Sequence, residues 1–248
     1  MQTGLISVTF RSKSRAEICG LASEAGLDFV MWGGDIHVPH GDINAALDAR
    51  ALSDVAGLGH SVYGSYYRLP DGSEGFCDVL DTARALGSDS IRIWAGTKGS
   101  SDVSDDERRA LVATAIRDAE LAAGYGIGLQ FEFHGGTLTD TPESAKRLIY
   151  EIGCDNVRLH WQPNQFRDFD YNLSGLRSVA GLVTCAHVFA WEGSEKLPLS
   201  RHAAEWSAYF DILASAGCGY AAMEFVPVEC RDDLLRDAET LKNLLKGR

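Results

Sequence analysis

The stretch GLQFEFHGG at residues 128–136 contains the pattern on which the fold prediction rests. A short apolar run bounded by glycines predicts a buried β-strand followed by a tight loop. Glu132 lies near the end of this run, and His134 is two residues further on. Because side chains alternate along a strand, we expect Glu132 and His134 to share one face.

Seven other runs have the same strand-like character. They lie near residues 4–9, 28–32, 59–64, 90–95, 156–161, 182–188 and 219–226. Amphipathic segments with a period near 3.6 residues alternate with them and predict helices. These segments are 14–25, 43–56, 74–86, 104–124, 142–152, 170–180, 202–216 and 232–246. Eight alternating units favour a single (β/α)8 TIM barrel, an α/β fold with a parallel eight-stranded barrel and outer helices, over a doubly wound sheet.

Start and stop signals support these helix boundaries. Ser104 with Glu107 forms a capping-box pattern, and Thr141 followed by Pro142 is typical of a helix start. Glycines that follow helix-like segments predict helix ends. They are Gly26, Gly87, Gly153 and Gly217.

Length and charge limit the classes of function. The 248 residues, 45% of them hydrophobic, can form one domain over residues 1–248. A formal charge of −12 disfavours a nucleic-acid partner, because binding phosphates requires clustered Lys and Arg side chains. A small polar, sugar-like substrate fits better. No signal region or membrane-length apolar run is recognisable, so we expect a cytoplasmic protein with no membrane partner.

The six cysteines are scattered in apolar surroundings and contain no C-x-x-C pair. This spacing predicts reduced, buried thiols rather than disulfides or a zinc knuckle. A reducing compartment agrees with the cytoplasmic prediction.

Three of the strand-like runs carry metal-binding or acid/base side chains at their carboxyl ends. Glu132 is joined by His187 in LVTCAHVFAW and by Glu224 in YAAMEFV. Each alone is better explained as a solvent-facing strand-end residue. In a closed parallel barrel all three converge on one mouth, where carboxylates and an imidazole suit a divalent cation and a base that removes a proton beside a carbonyl.

Motifs along nearly the whole chain resemble the sugar phosphate isomerase/epimerase family, the xylose isomerase-like barrels. They are VMWGGDIHVPHGD, VYGSYYR, IRIWAG, EFHGGTLTD, LHWQPN, HVFAW and MEF, in strand order from the second to the eighth. The series is specific for the superfamily and not for a substrate. The resemblance implies a metal-dependent isomerase or epimerase. Members of the family often form dimers, so a homodimer is expected as one possibility, and the acidic composition and modest size are also compatible with a monomer.

The resemblance also implies four metal ligands in the order Glu, Asp, His, Glu. By position these are Glu132, Gln162, His187 and Glu224, so Gln162 stands where the family pattern has an aspartate. An amide oxygen can bind a hard cation but brings no charge, which predicts looser binding of Mn²⁺, Mg²⁺ or Zn²⁺. Gln162 is equally well explained as a hydrogen-bonding rim residue.

The chemistry implied by the family is proton abstraction beside a carbonyl, through an enediolate. Glu132 and Glu224 are the implied acid/base pair, and His134 is a further catalytic candidate or a residue that orients Glu132. Loss of a β-hydroxyl from the same enediolate makes a dehydratase acting on a keto-inositol or keto-sugar the enzymatic alternative. The alternative without catalysis is a carbohydrate-binding relative of these enzymes.

Several residues are candidates for substrate binding because they lie at or beyond strand ends. They are His37, Trp32, Trp94, Trp161, Trp191 and Lys196. Aromatic rings at the mouth can stack on a sugar, although two of the four tryptophans are as well explained as core residues. An apurinic-site endonuclease with the same barrel requires more ligands and a basic surface, so the acidic composition argues against it.

Overall fold

A computed structural model describes residues 1–69 and 73–248 of the chain. Eight parallel strands close into a barrel in the sheet order β1-β10-β7-β6-β5-β4-β3-β2, which confirms the predicted fold. The barrel strands are β1 (Gln2–Ile6), β2 (Phe29–Gly33), β3 (Val62–Arg68), β4 (Ser90–Trp94), β5 (Gly128–Glu132), β6 (Val157–Trp161), β7 (Val183–Val188) and β10 (Tyr220–Met223).

Eight helices surround the barrel and agree with the predicted segments to within one or two residues. They are α1 (Arg15–Glu24), α2 (Ile43–Val55), α3 (Ser73–Leu86), α4 (Asp105–Ala123), α5 (Pro142–Ile152), α6 (Phe169–Val179), α7 (Ala203–Ser215) and α8 (Arg231–Leu245). Ser104 and Glu107 form the predicted capping box of α4. Gly153 ends α5 in the left-handed conformation, with φ of 66°.

Side-chain alternation divides each strand between the barrel interior and the helix-facing layer. Phe29 and Met31 of β2 point inward and pack with Val62 of β3 and Cys185 of β7. The intervening residues join the larger core between strands and helices. The interior therefore contains an apolar cluster, and buried charged, amide and imidazole side chains of β4 to β7 lie beside it.

The structure corrects four details of the sequence prediction. The third strand runs from Val62 to Arg68, later in the sequence than the expected 59–64. The first strand ends at Ile6, and Ser7–Phe10 form a 3-10 turn in place of its expected second half. A short hairpin of β8 (Trp191–Glu192) and β9 (Glu195–Lys196) follows β7 and was not predicted. All six cysteines are free thiols, but Cys77 and Cys230 are exposed, so the prediction of burial is wrong for these two.

No helix in the described part of the chain is both long and apolar enough to cross a lipid bilayer.

The inward position of Gly4 predicts a packing constraint at the barrel floor. A Cβ atom there would collide with the ring of Phe29, which is fully buried. We expect Gly4→Ala to lower the free energy of unfolding by about 1–3 kcal/mol, because the ring has no room to move. Gly20→Ala is the control: Gly20 lies in α1 with open space around it, so alanine should stabilise by about 0.5–1 kcal/mol. Chemical denaturation of the two variants measures both effects, and equal stabilities would contradict the packing argument.

Candidate active site

A cavity of about 290 Å³ opens at the carboxyl ends of the barrel strands. Its size is near the lower end of the range for ligand pockets, about 300–1,000 Å³, and suits one monosaccharide-sized molecule. The walls combine aromatic rings with charged and amide groups. The lining residues are Tyr66, Arg92, Trp94, Glu132, His134, Gln162, Gln165, Phe189, Trp191, Glu224 and Phe225.

Glu132, the last residue of β5, is held at the base of this cavity. Its Oε2 accepts a hydrogen bond from Arg92 Nη1 at 2.5 Å and another from the indole N–H of Trp94. The Arg92 and Glu132 side chains are only 3% and 5% exposed. Thr139 donates to the main-chain carbonyl of Glu132. Glu132 is therefore fixed in position, with only Oε1 directed at the other candidate ligands.

Burial by itself raises the pKa of Glu132. The positive charge of Arg92, supported by His187, His134 and the Trp94 hydrogen bond, outweighs burial and lowers that pKa below its ordinary value. Burial in turn disfavours the charged guanidinium of Arg92, but the pKa of Arg92 is raised because the Glu132 carboxylate lies against it. The two side chains form a buried ion pair.

His187 is the point at which the candidate ligands meet. Its Nδ1 lies 3.0 Å from Gln162 Oε1, 3.4 Å from Glu224 Oε2 and 3.5 Å from Glu132 Oε1. These side chains come from the ends of β5, β6, β7 and β10, as the strand order of a closed barrel requires. A single ring nitrogen can donate only one hydrogen, yet this one faces three oxygens.

The orientation of the Gln162 amide follows from its second hydrogen bond. Nε2 of Gln162 donates to the carbonyl of Phe133 at 2.7 Å, and a carbonyl can only accept. The amide oxygen must therefore face His187.

The three distances from His187 Nδ1, 3.0, 3.4 and 3.5 Å, are close to those between ligand atoms that share a cation. With bonds of about 2.1 Å, neighbouring ligand atoms lie about 3.0–3.4 Å apart. No group of three or more His, Cys, Asp or Glu side chains within residues 1–69 and 73–248 is arranged as a metal site. The set around His187 adds the amide oxygen of Gln162 to two carboxylates and an imidazole. Its donor atoms, two carboxylates, an imidazole and an amide oxygen, suit a divalent cation.

His134 lies at the mouth with Glu132, as alternation predicts. Its ring stacks at a tilt on Trp94, with centroids 4.8 Å apart, and its Nδ1 lies 2.7 Å from the carbonyl of Gly135. This contact places a hydrogen on Nδ1 and leaves Nε2 for the cavity side of the ring.

Two of the four tryptophan candidates line the cavity and two do not. Trp94 and Trp191 are cavity walls, whereas Trp32 and Trp161 are each 2% exposed and belong to the core between strands and helices. Trp161 packs edge-on against Tyr209 of α7. The structure therefore separates Trp32 and Trp161 from the cavity.

His37 and Lys196 also lie outside the cavity lining. His37 is 5% exposed, and its ring nitrogens contact the Ser7 hydroxyl at 2.9 Å and the Lys13 carbonyl at 3.2 Å. These contacts explain His37 as a structural residue that fixes the loop after β2. Lys196 lies on the hairpin, 2.9 Å from Glu229 and over the ring of Phe225.

Sequence reasoning missed Arg92 and Tyr66, which both line the cavity. Arg92 alternates in phase with Trp94 in SIRIWAG, and a charge inside a buried strand is a signal that could have identified it. Tyr66 adopts a φ of 61°, rare for a residue with a side chain, and packs edge-on against Trp94. Nothing in the sequence around Tyr66 indicates that conformation.

Comparison with known proteins gives one family and a set of similar folds. The profile of the xylose isomerase-like TIM barrel family matches residues 19–244. A 70-residue segment is 37% identical to a 3-dehydroshikimate dehydratase of Bacillus anthracis. That segment spans 28% of this chain and only 25% of the relative.

Solved structures resemble the whole barrel. A probable 3-dehydroshikimate dehydratase from Bacillus anthracis superposes with a TM-score of 0.82 at 18% identity, covering 98% of this chain and 99% of the other. A 3-keto-D-glucoside 4-epimerase from E. coli gives 0.75 at 18% identity, with 98% of each chain covered. The IolI protein, which contains a bound zinc atom, gives 0.73 at 17% identity over 99% of this chain and 98% of that one. At these identities the likeness shows the fold alone.

The buried ion pair predicts a large stability effect. Arg92→Met leaves the Glu132 carboxylate buried without its cation, and we expect the free energy of unfolding to fall by about 3–5 kcal/mol. Adding Glu132→Gln should recover much of that loss, because no charge then remains to be compensated. Arg109→Met, which removes an exposed arginine paired with Asp106, is the control and should change little. Urea denaturation decides the matter: if Arg92→Met were as stable as the control, the pair would not be a structural constraint.

Proposed function

Since the chain belongs to the xylose isomerase-like TIM barrel family, we propose that it is a metal-dependent isomerase or epimerase of a sugar or related polyol ketone. The observation that carries the proposal is the approach of two carboxylates, Glu132 and Glu224, to one imidazole at the base of a sugar-sized cavity. Carboxylates from different strands can contact a bound substrate from different sides. One can then remove a proton from carbon and the other can deliver one.

The proposed ligands of the divalent cation are Glu132, Gln162, His187 and Glu224. A bound Mn²⁺, Mg²⁺ or Zn²⁺ would polarise a substrate carbonyl and the adjacent hydroxyl, which makes the hydrogen between them more acidic. The zinc atom in the structurally similar IolI protein supports this proposal. The neutral amide of Gln162 leaves the set with two carboxylate charges, so the substrate's own oxygens are expected to strengthen cation binding.

Glu224 is the better placed of the two carboxylates to remove the proton. Its side chain is 16% exposed and lines the cavity, whereas Oε2 of Glu132 is already bound by Arg92 and Trp94. In this proposal Oε1 of Glu132, charged in the resting protein, takes up a proton from solvent and supplies it as the second proton, while Glu224 releases the abstracted proton to solvent. Delivery to the same carbon from the opposite side inverts it, which is epimerisation, and delivery to the neighbouring carbon is isomerisation.

Other cavity residues bind and orient the substrate in this proposal. The rings of Trp94 and Trp191 cover its apolar faces and exclude water. His134, whose Nδ1 contacts the Gly135 carbonyl, uses Nε2 for a hydrogen bond with a substrate hydroxyl. Arg92 acts through Glu132 by keeping that carboxylate in place.

A dehydratase acting on a keto-sugar or keto-inositol is the second candidate. The similarity to 3-dehydroshikimate dehydratase, at 37% identity over 70 residues, favours it specifically. The first proton abstraction is the same, and the enediolate then expels a β-hydroxyl, which leaves as water after protonation. The two candidates differ in the fate of the intermediate and not in its formation.

Deuterium incorporation tests the common first step. Incubation in D₂O with Mn²⁺ and a panel of ketoses, keto-inositols and hydroxypyruvate should place deuterium on the carbon beside the carbonyl, with loss of water only for a dehydratase. Glu224→Gln should reduce exchange by about 10²-fold or more, because the amide cannot accept the proton. Trp161→Phe, a core change away from the cavity, is the control and should retain exchange. Absence of exchange with the whole panel would favour a noncatalytic binding role.

The neutral amide predicts how cation affinity responds to substitution. Gln162→Glu keeps the shape and adds a charge, so Mn²⁺ should bind about tenfold more tightly. The same change removes the hydrogen bond to the Phe133 carbonyl and should destabilise the cation-free protein by about 1–3 kcal/mol. Gln162→Leu should weaken Mn²⁺ binding. Calorimetric titration measures these affinities, and unchanged binding by the leucine variant would remove Gln162 from the ligand set.

A further inference from the structure

A second cavity, of about 320 Å³, lies beside the candidate active site on the same face of the barrel. It is enclosed by the segments that follow β6 and β7 and by the N-terminal halves of α6 and α7. The four proposed cation ligands are not part of its lining. Its volume is close to the 290 Å³ of the active-site cavity, so it has room for a chemical unit of similar size.

The two cavities adjoin at three residues that line both of them, Gln165, Phe189 and Trp191. The ring of Trp191 is held between those of Phe189 and Phe225, with centroids 5.7 and 5.3 Å away. The side-chain amide of Gln165 has no hydrogen-bond partner among residues 1–69 and 73–248. A ligand longer than one ring can therefore extend from the first cavity into the second and find a free amide at the junction.

Aromatic side chains form the floor of the second cavity. The indole N–H of Trp206 donates to the Phe189 carbonyl at 2.7 Å, and the rings of Phe169 and Tyr209 pack with centroids 5.5 Å apart. These contacts fix the floor before a ligand binds. Aromatic rings of this kind cover the apolar faces of a sugar ring. The aromatic lining residues are Phe169, Phe189, Trp191, Trp206 and Tyr209.

Polar groups at the edge of this cavity can bind hydroxyl groups. Oε2 of Glu205 lies 2.8 Å from His202 Nδ1. Oε1 of Glu205 has no hydrogen-bond partner in the described part of the chain, so it can accept a hydrogen bond from a ligand. A few polar groups above an aromatic floor are typical of a site that binds and orients a small neutral molecule.

The charges around the second cavity disfavour an anionic ligand. Its lining contains one arginine, Arg167, and three carboxylates, which belong to Asp168, Glu192 and Glu205. A phosphate or carboxylate group would be repelled by this excess of negative charge. Hydroxyl groups, in contrast, donate hydrogen bonds to carboxylates.

We infer that the second cavity is a subsite for an uncharged sugar ring, linked to the unit that binds in the active-site cavity. The substrate is then a two-ring keto-sugar and not a monosaccharide phosphate. The inference rests on the proposed function, because it assigns a sugar or polyol ketone to the first cavity. It adds the size and the charge of the substrate.

Ketose disaccharides are the probes of this subsite, because they join a ketose to an uncharged ring through different linkages. The panel is maltulose, isomaltulose, turanose and lactulose, with fructose as the one-ring reference and fructose 6-phosphate as the anionic one. Ligand-observed NMR titration in the presence of Mg²⁺ measures the dissociation constants. We expect at least one disaccharide to bind about tenfold or more tightly than fructose, because the second ring adds contacts with a preformed site.

Variants of Glu205 locate the additional affinity. Glu205→Ala should lower the ratio of disaccharide to fructose affinity by about threefold to tenfold, the effect of one hydrogen bond. Glu205→Gln retains an acceptor oxygen and should preserve most of that ratio. Glu195→Ala removes an exposed hairpin glutamate outside both linings and is the matched control. An equal loss of affinity for fructose and disaccharide in Glu205→Ala would contradict the subsite.

The titration and deuterium exchange in D₂O together separate the subsite from the proposed chemistry. Exchange on one-ring ketoses, with no disaccharide bound more tightly than fructose, would retain the chemistry and overturn the subsite. A disaccharide that binds with dependence on Glu205 but shows no exchange would retain the subsite and contradict the chemistry. Absence of binding by all four disaccharides, or tighter binding of fructose 6-phosphate than of each of them, would also overturn the inference.

Discussion

Compensation of the buried Glu132 carboxylate is the constraint on which the candidate site depends. Removing an ion from water costs several kcal/mol unless its partners replace the lost hydration. Arg92 and Trp94 do so from β4, the neighbouring strand, and His187 approaches from β7, two strands away on the other side. Because Oε2 is satisfied on one side, Oε1 remains for chemistry on the other. The position of the carboxylate is thus set by packing and charge together.

This constraint requires polar partners inside the barrel. Apolar side chains such as Phe29 and Met31 form one cluster of the interior, and buried charged, amide and imidazole side chains of β4 to β7 form another region. Buried polar groups are tolerated only when they are connected, and the hydrogen-bonded run from Ser90 to His160 supplies those connections. The apolar cluster packs the barrel interior tightly, and the hydrogen-bonded polar side chains fix the orientation of the side chains above them.

The positions of the strands and helices follow from periodicity, so the sequence predicts them closely. The same alternation predicts that Glu132 and His134 share the mouth, and the structure agrees. Side-chain alternation also explains why Trp161 lies outside the cavity. It directly follows the inward-facing His160, so its side chain points outward to the helices.

Other features of the site depend on contacts between strands that are distant in sequence. Arg92 and Glu132 are 40 positions apart in the sequence, and no local pattern links a strand arginine to a glutamate so far along the chain. The conformation of Tyr66 and the hairpin after β7 are likewise set by their surroundings. His37 lies on the expected loop, but both of its ring nitrogens contact groups of the chain itself, the Ser7 hydroxyl and the Lys13 carbonyl. They are therefore not directed at a substrate.

Gln162, which stands where the family pattern has an aspartate, is suited to the hydrogen-bonding groups that surround it. The carbonyl of Phe133 requires a donor, and the amide supplies one while turning its oxygen to His187. A carboxylate at this position would place an acceptor against an acceptor, a loss of about 1–3 kcal/mol if the carbonyl stayed buried. An aspartate, shorter by one methylene group, would also reach less far. The glutamine therefore fits the local hydrogen bonding at the expense of one negative charge beside His187. Arg92 adds a positive charge to the same region. If the proposed cation binds here, the substrate's oxygens are the natural source of further ligands, and the proposed function then couples cation binding to substrate binding.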